Sequence, residues 1–136
     1  MKTKTVALQY IGGLVTGVIL ALSGAKIGSF IAPKEALLDL EFGFMGAFLA
    51  YPIGILFAVY LIGKYSRAKG SIYFSIAGMG ILWLAFILGA EPLKLIAEPA
   101  AIISFFALAG PAAAIIGYYA FEDKIGKKKN RRRNHN

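Results

Sequence analysis

Four apolar runs, near 5–25, 42–63, 71–89 and 99–121, limit what this chain can fold into, because none contains Asp, Glu, Lys or Arg. A helix rises about 1.5 Å per residue, so about 20 apolar residues cross a hydrocarbon core roughly 30 Å thick. Each run meets that length. An ionised residue at the centre of a span costs about 2.5 to 3.5 kcal/mol on insertion scales, so four charge-free runs are expected to be transmembrane helices. Strands of a membrane barrel would alternate polar and apolar residues over about ten positions, and these runs do not. The expected fold class is all-α: a polytopic membrane protein with four transmembrane helices in two hairpins. They form a domain over 1–123, and 124–136 is a basic tail. Only 16% of the residues are charged, against about a quarter in ordinary globular chains.

The charges between the runs predict topology. Lys2 and Lys4 precede the first run, Lys64, Arg67 and Lys69 separate the second from the third, and Lys124, Lys127, Lys128, Lys129, Arg131, Arg132 and Arg133 follow the fourth. Four spans put these three segments on one side, and the excess of positive charge makes it the cytoplasmic side, with both termini there. The other two connections are net negative: Lys26 and Lys34 stand against Glu35, Asp39 and Glu41, and Lys94 against Glu91 and Glu98. Tyr60, Tyr65, Tyr73, Tyr118 and Tyr119 fall near the cytoplasmic ends, where amphipathic rings suit headgroup depth. The first run exceeds the roughly 7 to 15 residues of a secretory signal core, so it is expected to stay as a span.

The tail KKKNRRRNHN would suggest nucleic acid on a soluble domain. Directly after a span, each basic residue gains about 1 kcal/mol from the negative inner leaflet, so anionic lipid headgroups are the expected contact of Lys127 to Lys129 and Arg131 to Arg133. No aromatic residue interrupts the tail to stack on bases, and nucleic acid is not an expected partner. His135 reads as a solvated tail residue.

Chemical motifs are scarce. The chain has no cysteine and one histidine, which removes thiolate chemistry, Cys-ligated metals and histidine clusters. No phosphate-binding glycine loop or nucleophile elbow is present, and no cofactor, metal or catalytic residue is expected. Small residues recur instead at four-residue steps: Gly13, Gly17, Ala21 and Ala25; Gly46, Ala50, Gly54 and Ala58; Ala109, Ala113 and Gly117. Such stripes let helix backbones approach in lipid. The third run is bulkier, with Trp83 and Phe86, and is expected to be the most peripheral. Pro52 and Pro111 interrupt the second and fourth runs, and each frees a carbonyl one turn back that a neighbour must satisfy. Their offset also aligns Pro33 with Pro92, Asp39 with Glu98 and Tyr60 with Tyr119, as a duplicated hairpin would, though two ordinary kinked helices give the same spacing.

The net-negative connections offer a candidate outer polar site of Asp39, Glu41, Glu91 and Glu98. Pro33 suits the opening turn of a helix leading into the second span. In GAEPLKLIAEP, both prolines are expected to push the preceding glutamate out of helical geometry, leaving a short turn over 93–97. Glu98 then suits the positive N-terminal end of the last helix.

The motifs of two small four-span families are missing. Small multidrug transporters carry a glutamate in the first span and fluoride channels carry intramembrane asparagine, and here neither occurs, although Phe105 and Phe106 are adjacent. The glycine-rich first span, the kinked second and its Tyr60-Leu61-Ile62-Gly63-Lys64 ending resemble small prokaryotic membrane proteins. With the four spans and the placement of basic residues, the expected location is the plasma (inner) membrane of a prokaryote, multi-pass. The expected function is an integral scaffold or accessory subunit, not an enzyme, that assembles as a homo-oligomer or with other membrane subunits. The alternatives are a small oligomeric transporter or channel gated at Pro52 and Pro111, with Tyr51, Ser75 or Ser104 as lining, and a lipid-handling enzyme using the outer carboxylates.

Overall fold

The computed structural model describes residues 3–34 and 38–120, and it is all-α. Four helices follow in order: α1 (Thr3–Ile31), α2 (Leu38–Tyr65), α3 (Ile72–Leu93) and α4 (Pro99–Tyr119). All four are long and apolar enough to cross a membrane. They have no polar face, so periodic amphipathicity does not hold the bundle together. Large side chains stay exposed on every helix, among them Phe30, Leu49, Ile81 and Phe105. The core is a narrow central seam of Tyr51, Ile55, Val59, Met79, Ala114, Ile115 and Tyr118.

The closest packing joins α1 to α2, which run antiparallel. A Cβ at Gly46 would come within 3.0 Å of the Gly24 carbonyl, and one at Gly54 would meet the backbone of Thr16 and Gly17. Removing the side chain at these points lets the backbones touch, so dispersion accumulates along the contact where burial from water cannot drive it. At the far end Gly28 meets Phe42 in the same way, and Ser29 Oγ donates to the Asp39 carbonyl at 3.1 Å. This contact carries α1 and α2 to 29 and 28 residues, beyond the roughly 20 needed to cross a core.

Helices α3 and α4 also run antiparallel, with Gly78 against the Ala113 carbonyl and Gly117 against Phe74. Only Ser75 and Met79 of α3 are buried, which makes it the most peripheral helix. The start of α1, the end of α2, the start of α3 and the end of α4 meet at one end of the bundle. There Gln9 reaches Val59 and Tyr119, and Ser71 N donates to the Tyr118 carbonyl at 3.0 Å. Helix α2 ends in a left-handed residue, Arg67 at φ 52°, with Ala68 N bonded to Gly63 O and Arg67 N to Lys64 O. This is a Schellman termination with arginine where glycine is usual.

The connections differ from the sequence expectation in two places. Glu91 and Pro92 lie inside α3: Pro92 has no N–H for the Leu88 carbonyl, but the Lys94 N–H bonds Ala90 O and the Leu95 N–H bonds Pro92 O, which keeps the turn helical. Only Glu98 is extended, at φ −67° and ψ 143°. Pro33 does not open α2, which begins at Leu38; α1 instead continues to Ile31.

Gly46→Ala should destabilise the fold by about 1 to 3 kcal/mol through overpacking against backbone that cannot move aside. Gly80→Ala, where a Cβ would meet nothing within 4 Å, should be neutral or stabilising by up to about 1 kcal/mol. Reversible unfolding in mixed detergent micelles measures both.

Candidate functional site

Pro111 organises the middle of the bundle. With no N–H, it cannot bond the Ala107 carbonyl four residues back, and its ring pushes the adjoining turn open. Two tyrosines from other helices answer this. Tyr51 of α2 donates its hydroxyl to Ala107 O at 2.5 Å, and Tyr10 of α1 donates to Leu108 O at 2.9 Å. Gly13 lies against the proline ring and Gly110 against Tyr51 and Ile55, so both flanks of the break lie in contact with other helices. Pro111 is itself buried. Pro52 is half-buried, and α2 continues through it as α4 continues through Pro111.

Two further polar side chains are wholly buried. Ser75 Oγ donates to the Ala114 carbonyl at 2.8 Å, tying α3 to α4. Gln9 Nε2 donates to the Val59 carbonyl at 2.9 Å, and its Oε1 accepts from Tyr119 at 2.9 Å, so one amide joins α1, α2 and α4. Gln9 is neither ionisable nor part of a small-residue stripe, so neither criterion singles it out. Its signal was available, as the one amide side chain within the four charge-free runs.

Away from the Gln9 end, between the Pro111 level and the α3–α4 turn, the helices diverge around a partly open cavity of about 170 Å³. Its aromatic walls are Phe44, Phe48 and Tyr51 of α2, Trp83 and Phe86 of α3, and Phe106 of α4. Ala21, Ala47 and Ala107 supply the space. The rings form a connected set: Tyr51 and Trp83 stack at 5.9 Å, Phe48 lies 5.3 Å from Trp83 and 5.4 Å from Phe86, and Phe86 meets Phe106 edge-on at 4.7 Å. The Trp83 indole Nε1 is buried with no hydrogen-bond partner. Most buried polar atoms are satisfied, so this one needs an explanation.

The small residues singled out in the sequence are spread over several contacts. Gly17 faces Tyr51, Ala25 presents its carbonyl near Gly43, and Ala50 lies opposite Gly24. Ala58 is buried and Ala109 half-buried. Gly24 and Gly28, which make the tightest contacts of α1, lie off the four-residue stripe, because 3.6 residues per turn carries a strict four-step row around the helix. The outer carboxylates are exposed. Glu91 pairs with Lys94 at 2.6 Å, and Glu98 precedes α4 without a side-chain capping bond. Among the described residues no three Asp, Glu, His or Cys side chains form a metal-holding group. Ser104 is exposed on α4. Tyr65 and Tyr73 are exposed, whereas Tyr118 is buried against Gly63 and Gly70 and Tyr119 bonds Gln9; the last two do not serve as headgroup rings, because small residues across the bundle make room for them. Lys127 to Lys129 and Arg131 to Arg133 lie outside the described residues.

Tyr51→Phe should cost about 1 to 3 kcal/mol by leaving the Ala107 carbonyl unpaired. In a Pro111→Ala background, where a backbone N–H can return, the same change should cost less, giving a coupling on the order of 1 kcal/mol in a double-mutant cycle. Equal costs in both backgrounds would separate the tyrosine from the proline. Comparisons with protein-family models, curated proteins and solved structures found no match for this chain.

Proposed function

We propose that the four helices span a bilayer and that the protein is a rigid integral scaffold or accessory subunit of a membrane complex. The observation that carries this reading is the use of Tyr10 and Tyr51, from two helices, to close the break that Pro111 opens in a third. A hinge needs free backbone groups to exchange, and these are held. Tyr51 and Ser75, two of the three polar groups expected to line a pore, donate to helix carbonyls, and Ser104 is exposed on α4; the two held groups favour the scaffold over a channel gated at Pro111. The scattered, exposed carboxylates likewise weigh against an outer catalytic site.

Exposed Leu, Ile and Phe side chains on all four helices support the membrane setting, since soluble monomers rarely expose apolar patches beyond a few hundred Å². The basic segments support an orientation with both termini and the α2–α3 connection in the cytoplasm of a prokaryotic cell, and the tail against anionic headgroups of the inner membrane. Its partners are lipid and neighbouring membrane subunits, with a homo-oligomer as the simplest assembly.

Mass spectrometry of the full chain extracted from its own membrane in mild detergent should give a defined complex containing other integral subunits. A homo-oligomer that carries solute flux in proteoliposomes would overturn the scaffold in favour of a transporter. The chain lacks cysteine, so single-cysteine variants report sidedness cleanly: Lys69→Cys and Asn134→Cys should react with impermeant maleimide only after permeabilisation, and Ala97→Cys before it.

A further inference from the structure

Residues 66–71 alone join α2 to α3, and Arg67 and Lys69 are among them, with Lys64 in the last turn of α2. The backbone of this turn is fixed from inside the bundle. Gly63 and Gly70 both lie against the Tyr118 ring, Ser71 N donates to the Tyr118 carbonyl at 3.0 Å, and Ala68 N donates to the Gly63 carbonyl at 2.9 Å. Ala68 packs against the core, so the residues on either side of it, Arg67 and Lys69, are turned outward and exposed. Arg67 N donates to the Lys64 carbonyl at 3.2 Å, which keeps those two cations within one turn of each other.

The charge of this turn is unanswered among the described residues. Their carboxylates, Asp39, Glu41, Glu91 and Glu98, all lie at the opposite end of the bundle. Glu122 and Asp123 follow α4 outside the described residues, where the tail's own Lys and Arg outnumber them. Arg67 carries a second sign of use. Its φ of 52° is one that glycine adopts freely and a residue with a Cβ does not, so the turn would close better with glycine. What arginine adds at this position is its side chain.

Depth names the anion. In the bilayer placement proposed above, on which this inference rests, α2 ends and α3 begins at the membrane surface, and the exposed rings of Tyr65 and Tyr73 stand on either side of the turn at the depth amphipathic rings favour. The anion present at that depth is a phospholipid phosphate. A guanidinium holds two phosphate oxygens at once, which an ammonium does not. We propose that the α2–α3 turn is a headgroup site for an anionic phospholipid, with Arg67 on the phosphate oxygens and Lys64 and Lys69 supplying the charge that ranks it above a zwitterionic lipid. This site is distinct in sequence from the basic tail.

The chain has no cysteine, so Tyr65→Cys labelled with bimane places one reporter beside the turn. The full chain would be reconstituted in phosphatidylcholine bilayers at about 0.15 M salt, and quenching compared between phosphatidylglycerol and phosphatidylcholine, each spin-labelled near its headgroup. Phosphatidylglycerol is expected to bind at least about tenfold more tightly, and Arg67→Gly to cut that preference about fivefold, the share of one cation near an anionic surface. Arg67→Lys should keep part of it, and Lys128→Ala with Lys129→Ala should leave it unchanged. In phosphatidylcholine alone the Arg67→Gly protein should melt at the same temperature or higher, because glycine suits this backbone. Equal quenching by the two lipids, or a preference that survives Arg67→Gly, would overturn the site. A lower melting temperature in Arg67→Gly would make the arginine structural and overturn its role as a ligand. Displacement of phosphatidylglycerol by millimolar inorganic phosphate would overturn the lipid as the source of the phosphate. Absence of quenching by either lipid would overturn the bilayer placement, and the site with it.

Discussion

A carbonyl without a donor costs far more in hydrocarbon than in water, because no solvent molecule can replace the lost partner. One such debt lies at Pro111 in α4, which deprives the Ala107 carbonyl of its helix N–H. Tyr51 reaches that carbonyl from α2 and Tyr10 the next one from α1, and for them to do so the three helices must hold a fixed register. Gly13 and Gly110 let the backbones come near enough, while Ile55, fully buried, fills the space left between them. The proline thus specifies how helices meet.

The same logic sets the other polar contacts. Gln9 and Ser75 are fully buried, and each donates to a carbonyl of a different helix. Contacts of this kind contribute roughly 0.6 kcal/mol each on average inside membranes. Their larger effect is on specificity, because sliding a helix by one residue would leave an amide or hydroxyl unmatched. Dispersion along the Gly24–Gly46 contact supplies attraction, and the polar groups select one register among the close-packed alternatives.

The elements were legible in the sequence because charge-free runs of this length admit one interpretation in a bilayer. Four helices follow from Lys and Glu placement alone. Helix ends were less legible: the extension of α1 to Ile31 depends on Gly28 meeting Phe42, a contact that exists only after folding. The freed carbonyl at Pro111 was predictable, yet nothing local distinguishes Tyr10 and Tyr51 from the other tyrosines as its partners. The cavity was hidden for a related reason. Its walls come from all four helices, and Trp83 and Phe86, which read as bulk on a peripheral span, become one side of a partly open cavity only when α2 and α4 supply Phe48, Tyr51 and Phe106.

The unequal attachment of α3 also bears on how the protein is made. Chains are synthesised from the N-terminus at about 5 to 20 residues per second, and the contacts between α1 and α2 lie within the first half of the sequence, so that pair can close while the rest is still on the ribosome. Helix α3 is buried only at Ser75 and Met79, and Ser75 bonds a residue of α4. In the bilayer placement proposed above, α3 would stay loosely held until α4 arrives. The last helix would deliver both the partner of α3 and the carbonyls that Tyr10 and Tyr51 reach, so that the newest segment locks the oldest.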